Sequence, residues 1–367
     1  MEENEKELLF WHAFNNVFGF GPQRYKKLSA FFPDLKTAWH SPRQDLLRSG
    51  IGEKQTDYFL TEREKISPEK LFAELLKEKI EIITINSESY PPLLKEIPSA
   101  PAVIYVKGNI NILNNKAVAV VGSRKFTAYG QRVAENLSRD LARSGLSIVS
   151  GLALGIDAVS HRATLSASGA TLAILGSGLD DPSIFPRENF NLARSIVEND
   201  GALLSEYPPR TPSFKQNFPA RNRIMAGLTL GTLVVEAALD SGSLITAGLA
   251  LDFGREVFAV PGPIFSPQSA GTNYLIKNGA KLVESSSDVL QELRIASPGQ
   301  GALQLKVFEP KTREEKSIWN VLSSDPLHVD KISKMTKLNP ATVGSVLSVL
   351  EVEEAVKNVG GQNYIKI

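Results

Sequence analysis

AVAVVGSRKFTAYG (117–130), LSIVSGLALGIDAVSHRATL (146–165), TLAILGSGLDD (171–181), FPARNRIMAGL (218–228), GTLVVEAALDSGSLITAGLAL (231–251) and EVFAVPG (256–262) decide the fold of this chain. Apolar runs end in glycine- or serine-rich loops and alternate with helical patterns. Short runs rich in Val, Ile and Leu are the pattern of strands buried on both faces of a parallel sheet. The loops of such a sheet share one edge, and ligands bind outside the carboxyl ends of the strands. Arg124, Arg221, Asn222 and Arg223 are expected there. Their chemistry seeks anions.

Standard nucleotide motifs are missing from this edge. A dinucleotide site needs G-x-G-x-x-G after the first strand and an acid ending the second. Here the first turn is Gly122, Ser123, Arg124, and the second strand ends at Ser150 and Gly151. No G-x-x-x-x-G-K-[ST] occurs either. What remains is a loop and helix N-terminus offering backbone N–H groups beside Arg124, an arrangement suited to phosphate. On that loop alone, a tight turn with an exposed arginine is the alternative.

GSRKFTAYG, VSGLALGID, LGSGLDDPSIFPREN, SEYPP, FPARNRIMAGL, VVEAALDSGSLITA, VFAVPG and GTNYLIKNGA, in this order, resemble the bacterial DNA-processing protein A family, also called Smf. The resemblance extends upstream through YPPLLKEIPSAPAVIYVKG (90–108). It implies a single-stranded DNA binder, a homodimer, that protects incoming strands in natural transformation and helps load the recombinase RecA. It does not imply catalysis. SHRATL stands where the family has an AH-x-x-AL pattern, and Phe185 precedes Pro186 where Tyr is usual; neither departure touches the basic cluster.

The segment Ser213 to Arg223, SFKQNFPARNR, carries Lys215, Arg221 and Arg223 interleaved with Phe214 and Phe218. Single-strand binders pair cations that follow phosphates with aromatic faces on which unpaired bases stack. The resemblance carries Arg124, Lys215, Phe218, Arg221, Asn222 and Arg223 into the DNA pocket, and Gly122 and Ser123 of the first loop join them as DNA-binding candidates. At least one of the six carried-over residues is expected to be structural, because an arginine at a sheet edge commonly pairs with an internal acid such as Glu236.

Asp157, Glu206, Glu236 and Asp240 at or near strand ends raise a competing reading, a Rossmann-like hydrolase cleaving the N-glycosidic bond of nucleoside monophosphates. The PGG-x-GT-x-x-E run of such enzymes is absent. Glu236 and Asp157 are read instead as orienting arginines or capping helices. His161 is read as a capping or packing residue, and Ser123, Ser150 and Ser243 as hydrogen-bonders rather than nucleophiles.

Composition narrows the options. The chain has 367 residues, 42% of them hydrophobic, and a net charge of only +1, so any nucleic-acid contact comes from a local patch. Without cysteine there is no disulfide framework or thiolate metal site, and the four histidines are scattered. No cofactor or metal is expected. The acidic N-terminus has no signal-peptide pattern, and no apolar run reaches the roughly 20 residues that span a bilayer. A cytoplasmic protein without a membrane partner is expected.

Residues 1–85 read as helices broken by two G-h-G turns, Phe18 to Pro22 and Ser49 to Glu53, as in helix-hairpin-helix modules. Arg24, Lys26 and Lys27 follow the first, which either meets phosphates or only packs. Strand-like IEIITI (80–85) leads toward the main domain, 86–294. Residues 295–310 read as a linker. Helices near 312–322, 329–335 and 340–350, then short strands at 355–358 and 363–367, predict a winged helix over 311–367. Its third helix, PATVGSVLSVLEVEE, lacks Arg, Lys, Asn and Gln, which argues against sequence-specific duplex readout. The expected fold class is α/β: an extended Rossmann-like parallel sheet core, an N-terminal helical domain of SAM or helix-hairpin-helix type, and a C-terminal winged-helix domain.

Overall fold

The computed structural model describes residues 3–295, 310–353 and 355–366. They fall into two compact units, Met1–Pro298 and Gly299–Ile367. Apart from its two ends, the linker read at 295–310 lies outside the described residues, as does the last residue of the final strand.

The first unit is organised by nine strands: β1 (Glu81–Thr84), β2 (Val103–Gly108), β3 (Ala117–Val121), β4 (Ser147–Ser150), β5 (Thr171–Ile174), β6 (Ala202–Ser205), β7 (Gly231–Val234), β8 (Glu256–Ala259) and β9 (Lys281–Leu282). Their order is β1-β2-β6-β5-β4-β3-β7-β8-β9. Neighbours from β6 to β9 are parallel, and β1 and β2 add an antiparallel edge. That edge includes β2, which lies in the proline-marked stretch 90–108. Every residue of β3 to β7 is buried, as continuous apolar strands require.

Alternation within β3 assigns its faces. Val118 and Val120 pack with Ala134, Leu137 and Leu141 of the helix Ala128–Arg143 and with Ile156 and Val159 of the helix Ile156–Ser166. Ala117 and Val121 pack in the opposite layer with Ile224, Met225 and Leu228 of the helix Asn217–Leu228 and with Ala247 of the helix Gly242–Asp252. From β3 the chain builds outward to β6 on one side, then returns to place β7 on the other. The carboxyl ends of β3 and β7 therefore flank a switch point, where adjacent loops diverge and leave a crevice.

The N-terminal helices share a core with this sheet. Phe14 lies 5.0 Å from both Trp39 and Phe59 and 5.1 Å from Phe20, ring centroid to centroid. This aromatic cluster continues into Val103, Tyr105, Leu175 and Leu203 of the sheet layer. Both G-h-G turns open on a glycine at positive φ, +92° at Gly19 and +85° at Gly50, a conformation that a side chain would strain. Gln55 Nε2 donates to Phe18 O at 2.8 Å and Lys27 Nζ to Gly50 O at 2.7 Å, so the two turns support one another. Arg24 donates to Gly19 O. Two of the three basic residues following the first turn thus bond turn carbonyls.

The second unit packs helices Arg313–Val321, Val329–Thr336 and Pro340–Val352 around Ile318, Ile332, Val343 and Leu347. A three-stranded sheet closes it, with β10 (Leu327–His328), β11 (Val356–Asn358) and β12 (Asn363–Lys366) in the order β10-β12-β11. Gly360 and Gly361 turn the hairpin at positive φ. This is the expected winged-helix arrangement, with β10 as an additional strand.

Candidate functional site

A cavity of about 500 Å³ opens at the switch point. Its walls are the loop Gly122–Lys125 after β3, the segment Ser241–Ser243 opening the helix Gly242–Asp252, and Phe218, Arg221 and Asn222 of the helix Asn217–Leu228. The first loop is held from several sides. Ser123 N donates to Glu236 O at 2.7 Å, Ser123 Oγ to Gln268 Oε1 at 3.2 Å, and Lys125 N to Ser123 Oγ at 3.0 Å. A β-carbon at Gly122 would lie 2.7 Å from Ile156 Cγ1 and 3.0 Å from Glu236 O, so only glycine lets this turn close.

The cationic residues divide by environment. Arg124 is exposed at the mouth, its guanidinium carbon 5.9 Å from the centroid of the half-buried Phe218 ring. Asn222 also lines the cavity. Arg221 lies at its floor, 4% exposed, donating to Gly151 O at 2.7 Å and to Ile174 O, which ties the ends of β4 and β5 together. Burial lowers its pKa to about 10, against the attraction of Asp157. A β-carbon at Gly151 would stand 2.3 Å from the Arg221 guanidinium, so that glycine makes room for it. Arg223 faces away from this cavity's lining and pairs with Glu206, both side chains about 15% exposed. Lys215 is exposed in the loop before the helix and also lies outside the lining. Of the eight residues read from the sequence, Gly122, Ser123, Arg124, Phe218, Arg221 and Asn222 converge on one cavity.

The acids are held by the protein. Glu236 is 2% exposed; its carboxylate accepts from Thr127 N at 2.9 Å and Thr127 Oγ1 at 2.5 Å, anchoring the start of the helix Ala128–Arg143. Asp157 Oδ2 accepts from Gly151 N at 3.1 Å and Ala153 N at 3.4 Å, and burial pushes its carboxyl above the usual range. Glu206 is raised by burial in the same way, opposed by Arg223. Asp240 differs, lining the cavity from an exposed position. His161 is fully buried, its Nδ1 2.7 Å from Thr171 Oγ1, and burial with Arg221 nearby depresses its pKa to about 3. It is a neutral packing residue.

Sequence reasoning did not find Gln268, which braces Ser123 from 145 positions away, or Phe185, whose ring centroid lies 6.1 Å from that of Phe218. No local pattern announces either. The small residues of DSGS at a helix start were a usable signal for Ser241 and Gly242, since short side chains expose backbone N–H groups.

A Rossmann-like sheet with a crevice at its switch point lined by Arg124 and Arg221, together with a separate winged-helix unit, defines a class of α/β proteins without the standard nucleotide motifs. The chain belongs to the DNA recombination-mediator protein A family, whose model matches residues 81–294, while residues 308–362 match the DprA winged helix domain. It is 38% identical to Protein Smf of Synechocystis over 98% of each chain. It is 45% identical to Protein Smf of Escherichia coli across 68% of this chain, spanning 66% of that protein's length. Among solved structures, DNA processing protein A from Streptococcus pneumoniae superimposes with a TM-score of 0.67 at 36% identity, over 77% of this chain and 97% of that one. The Helicobacter pylori protein, described for its single-stranded DNA binding mode, gives 0.53 at 29% identity over 59% and 96%.

Proposed function

We propose that this chain binds single-stranded DNA without sequence readout at the switch-point cavity. The observation that carries the reading is Arg124 poised over the Phe218 ring at the mouth of the switch-point cavity. A cation for phosphate beside an aromatic face for an unpaired base is the pairing that single strands need and a duplex cannot use. The single-strand binding described for the Helicobacter pylori relative supports it.

In this proposal Gly122, Ser123, Arg124 and Asn222 contact the strand, Phe218 stacks, and Lys215 meets phosphate outside the cavity. Arg221 and Arg223 hold the site in shape. Glu236 and Asp157 are engaged by Thr127 and by the 151–153 backbone, which supports a binding rather than a hydrolytic role. The family resemblance extends the proposal to a cytoplasmic homodimer that protects incoming strands and loads RecA, with the work divided among segments 1–85, 86–294 and 311–367.

Fluorescence anisotropy of a labelled single strand and the matching duplex, titrated at several salt concentrations, tests the core of this reading. The single strand is expected to bind more tightly, and Arg124→Ala to lower the salt slope by about 0.7 for one lost phosphate contact. Equal weakness toward both would overturn it and redirect attention to nucleoside monophosphate hydrolysis.

A further inference from the structure

A second cavity, of about 730 Å³, lies beside the first, between the helix Pro68–Lys77 and the loops 180–187 and 209–213. Phe185 lines it, and Phe185 is the residue whose ring meets Phe218 of the first cavity, centroids 6.1 Å apart. The two cavities are thus joined across an aromatic pair, with Phe185 itself 47% exposed. The segment Ser213–Phe218 makes the same crossing in the backbone: Ser213 lines the second cavity and Phe218 the first. Between them Phe214, 50% exposed, and Lys215 are presented to solvent.

The second cavity carries Lys77, Arg187 and Arg210, and its acids have partners of their own. Asp180 accepts from Arg210 N at 2.7 Å and Ser183 Oγ at 2.9 Å, and Glu78 lies 3.7 Å from Lys107. Glu74 pairs with Arg210 at 3.3 Å, but that guanidinium is 75% exposed, so the pair is weak and available for exchange with a phosphate. Arg187 stands over the Phe190 ring at 4.5 Å.

Resting on the single-strand reading above, we infer that this cavity is a second subsite for the same DNA strand. The strand leaves the switch-point cavity past Phe218, stacks a base on Phe185 and places phosphates against Lys215 and Arg210. This accounts for the position of Lys215, which the first cavity alone does not use. A continuous track, rather than one pocket, then determines affinity for long strands.

The test measures anisotropy of oligothymidines of roughly 4 and roughly 12 nucleotides, lengths bracketing common single-strand site sizes, on the full chain. Phe185→Leu keeps an apolar body against Phe218 and removes the stacking face; Arg210→Gln removes the charge; Arg124→Ala marks the first cavity. Each of the first two is expected to weaken the longer strand about 5-fold or more, the low end of one lost stack, while changing the shorter strand less than about 2-fold. Arg210→Gln should also lower the salt slope for the longer strand by about 0.7. Wild-type affinity in both variants, or equal weakening at both lengths, overturns the track while Arg124→Ala still reports the first cavity. If Arg124→Ala changes neither length, the single-strand reading itself has failed.

Discussion

Arg124 and Arg221 bring the same charge to one cavity, and their environments give them opposite roles. Arg221→Ala would leave Gly151 O and Ile174 O without their donor and Asp157 buried without a counter-charge. A loss of about 3–5 kcal/mol is expected, read as a lower Tm or denaturant midpoint. Arg124 is exposed, and its replacement by Ala should change stability by less than about 0.5 kcal/mol while weakening DNA binding. His161 and His12 add a pH dependence. Burial lowers their pKa values from 6.5 to about 3 and about 4, so both are neutral in the folded chain. Below pH 6.5 the unfolded chain binds protons that the folded one does not. Stability is fully present above that pH and declines as pH falls toward 4, by up to about 1.4 kcal/mol per pH unit for each histidine. The raised carboxyls of Asp157 and Glu206 act in the opposite sense, so the check is comparative: in thermal melts across this range, His161→Gln should show the shallower decline.

Among the elements, the helix Ala128–Arg143 shows how a tertiary contact reverses a local preference. Replacing a helical glycine by alanine ordinarily stabilises by up to about 1 kcal/mol. At Gly130 a β-carbon would lie 2.2 Å from Glu236 Oε2, a carboxylate held in place by Thr127. Gly130→Ala is therefore expected to lower Tm, and a rise would show that Glu236 can swing away. The strands of the central sheet were legible because each is a continuous apolar run bounded by small residues. The pairing of β2 was not, since prolines around it mask a strand whose neighbour, β6, is almost a hundred residues later in the sequence.

For the whole molecule, the winged-helix unit has its own apolar core, from Ile318 to Val356, and its third helix lacks Arg, Lys, Asn and Gln. A chain ending at residue 298 is expected to keep its single-strand affinity within about 2-fold, since the proposed contacts lie before that point. A marked loss, measured by anisotropy, would assign DNA contact to the C-terminal unit. The proposed homodimer is checked by sedimentation at micromolar protein, where a monomer would count against it. The helix Ala270–Lys277 exposes Tyr274 for such a contact, whereas Leu275 and Ile276 are half-buried. Among the described residues, no helix is long and apolar enough to cross a membrane.

The sequence by itself determined the parallel sheet, the loops along its carboxyl edge and the winged-helix unit, because apolar periodicity and turn residues act locally and the edge rule follows from topology. Only the tertiary structure decided which cations face the cavity. Arg221, Asn222 and Arg223 are consecutive on one helix, so each points about 100° from the last. One reaches the buried strand ends, one the cavity and one Glu206. A run of basic residues states a charge; the helix phase and the elements packed against it determine what that charge meets.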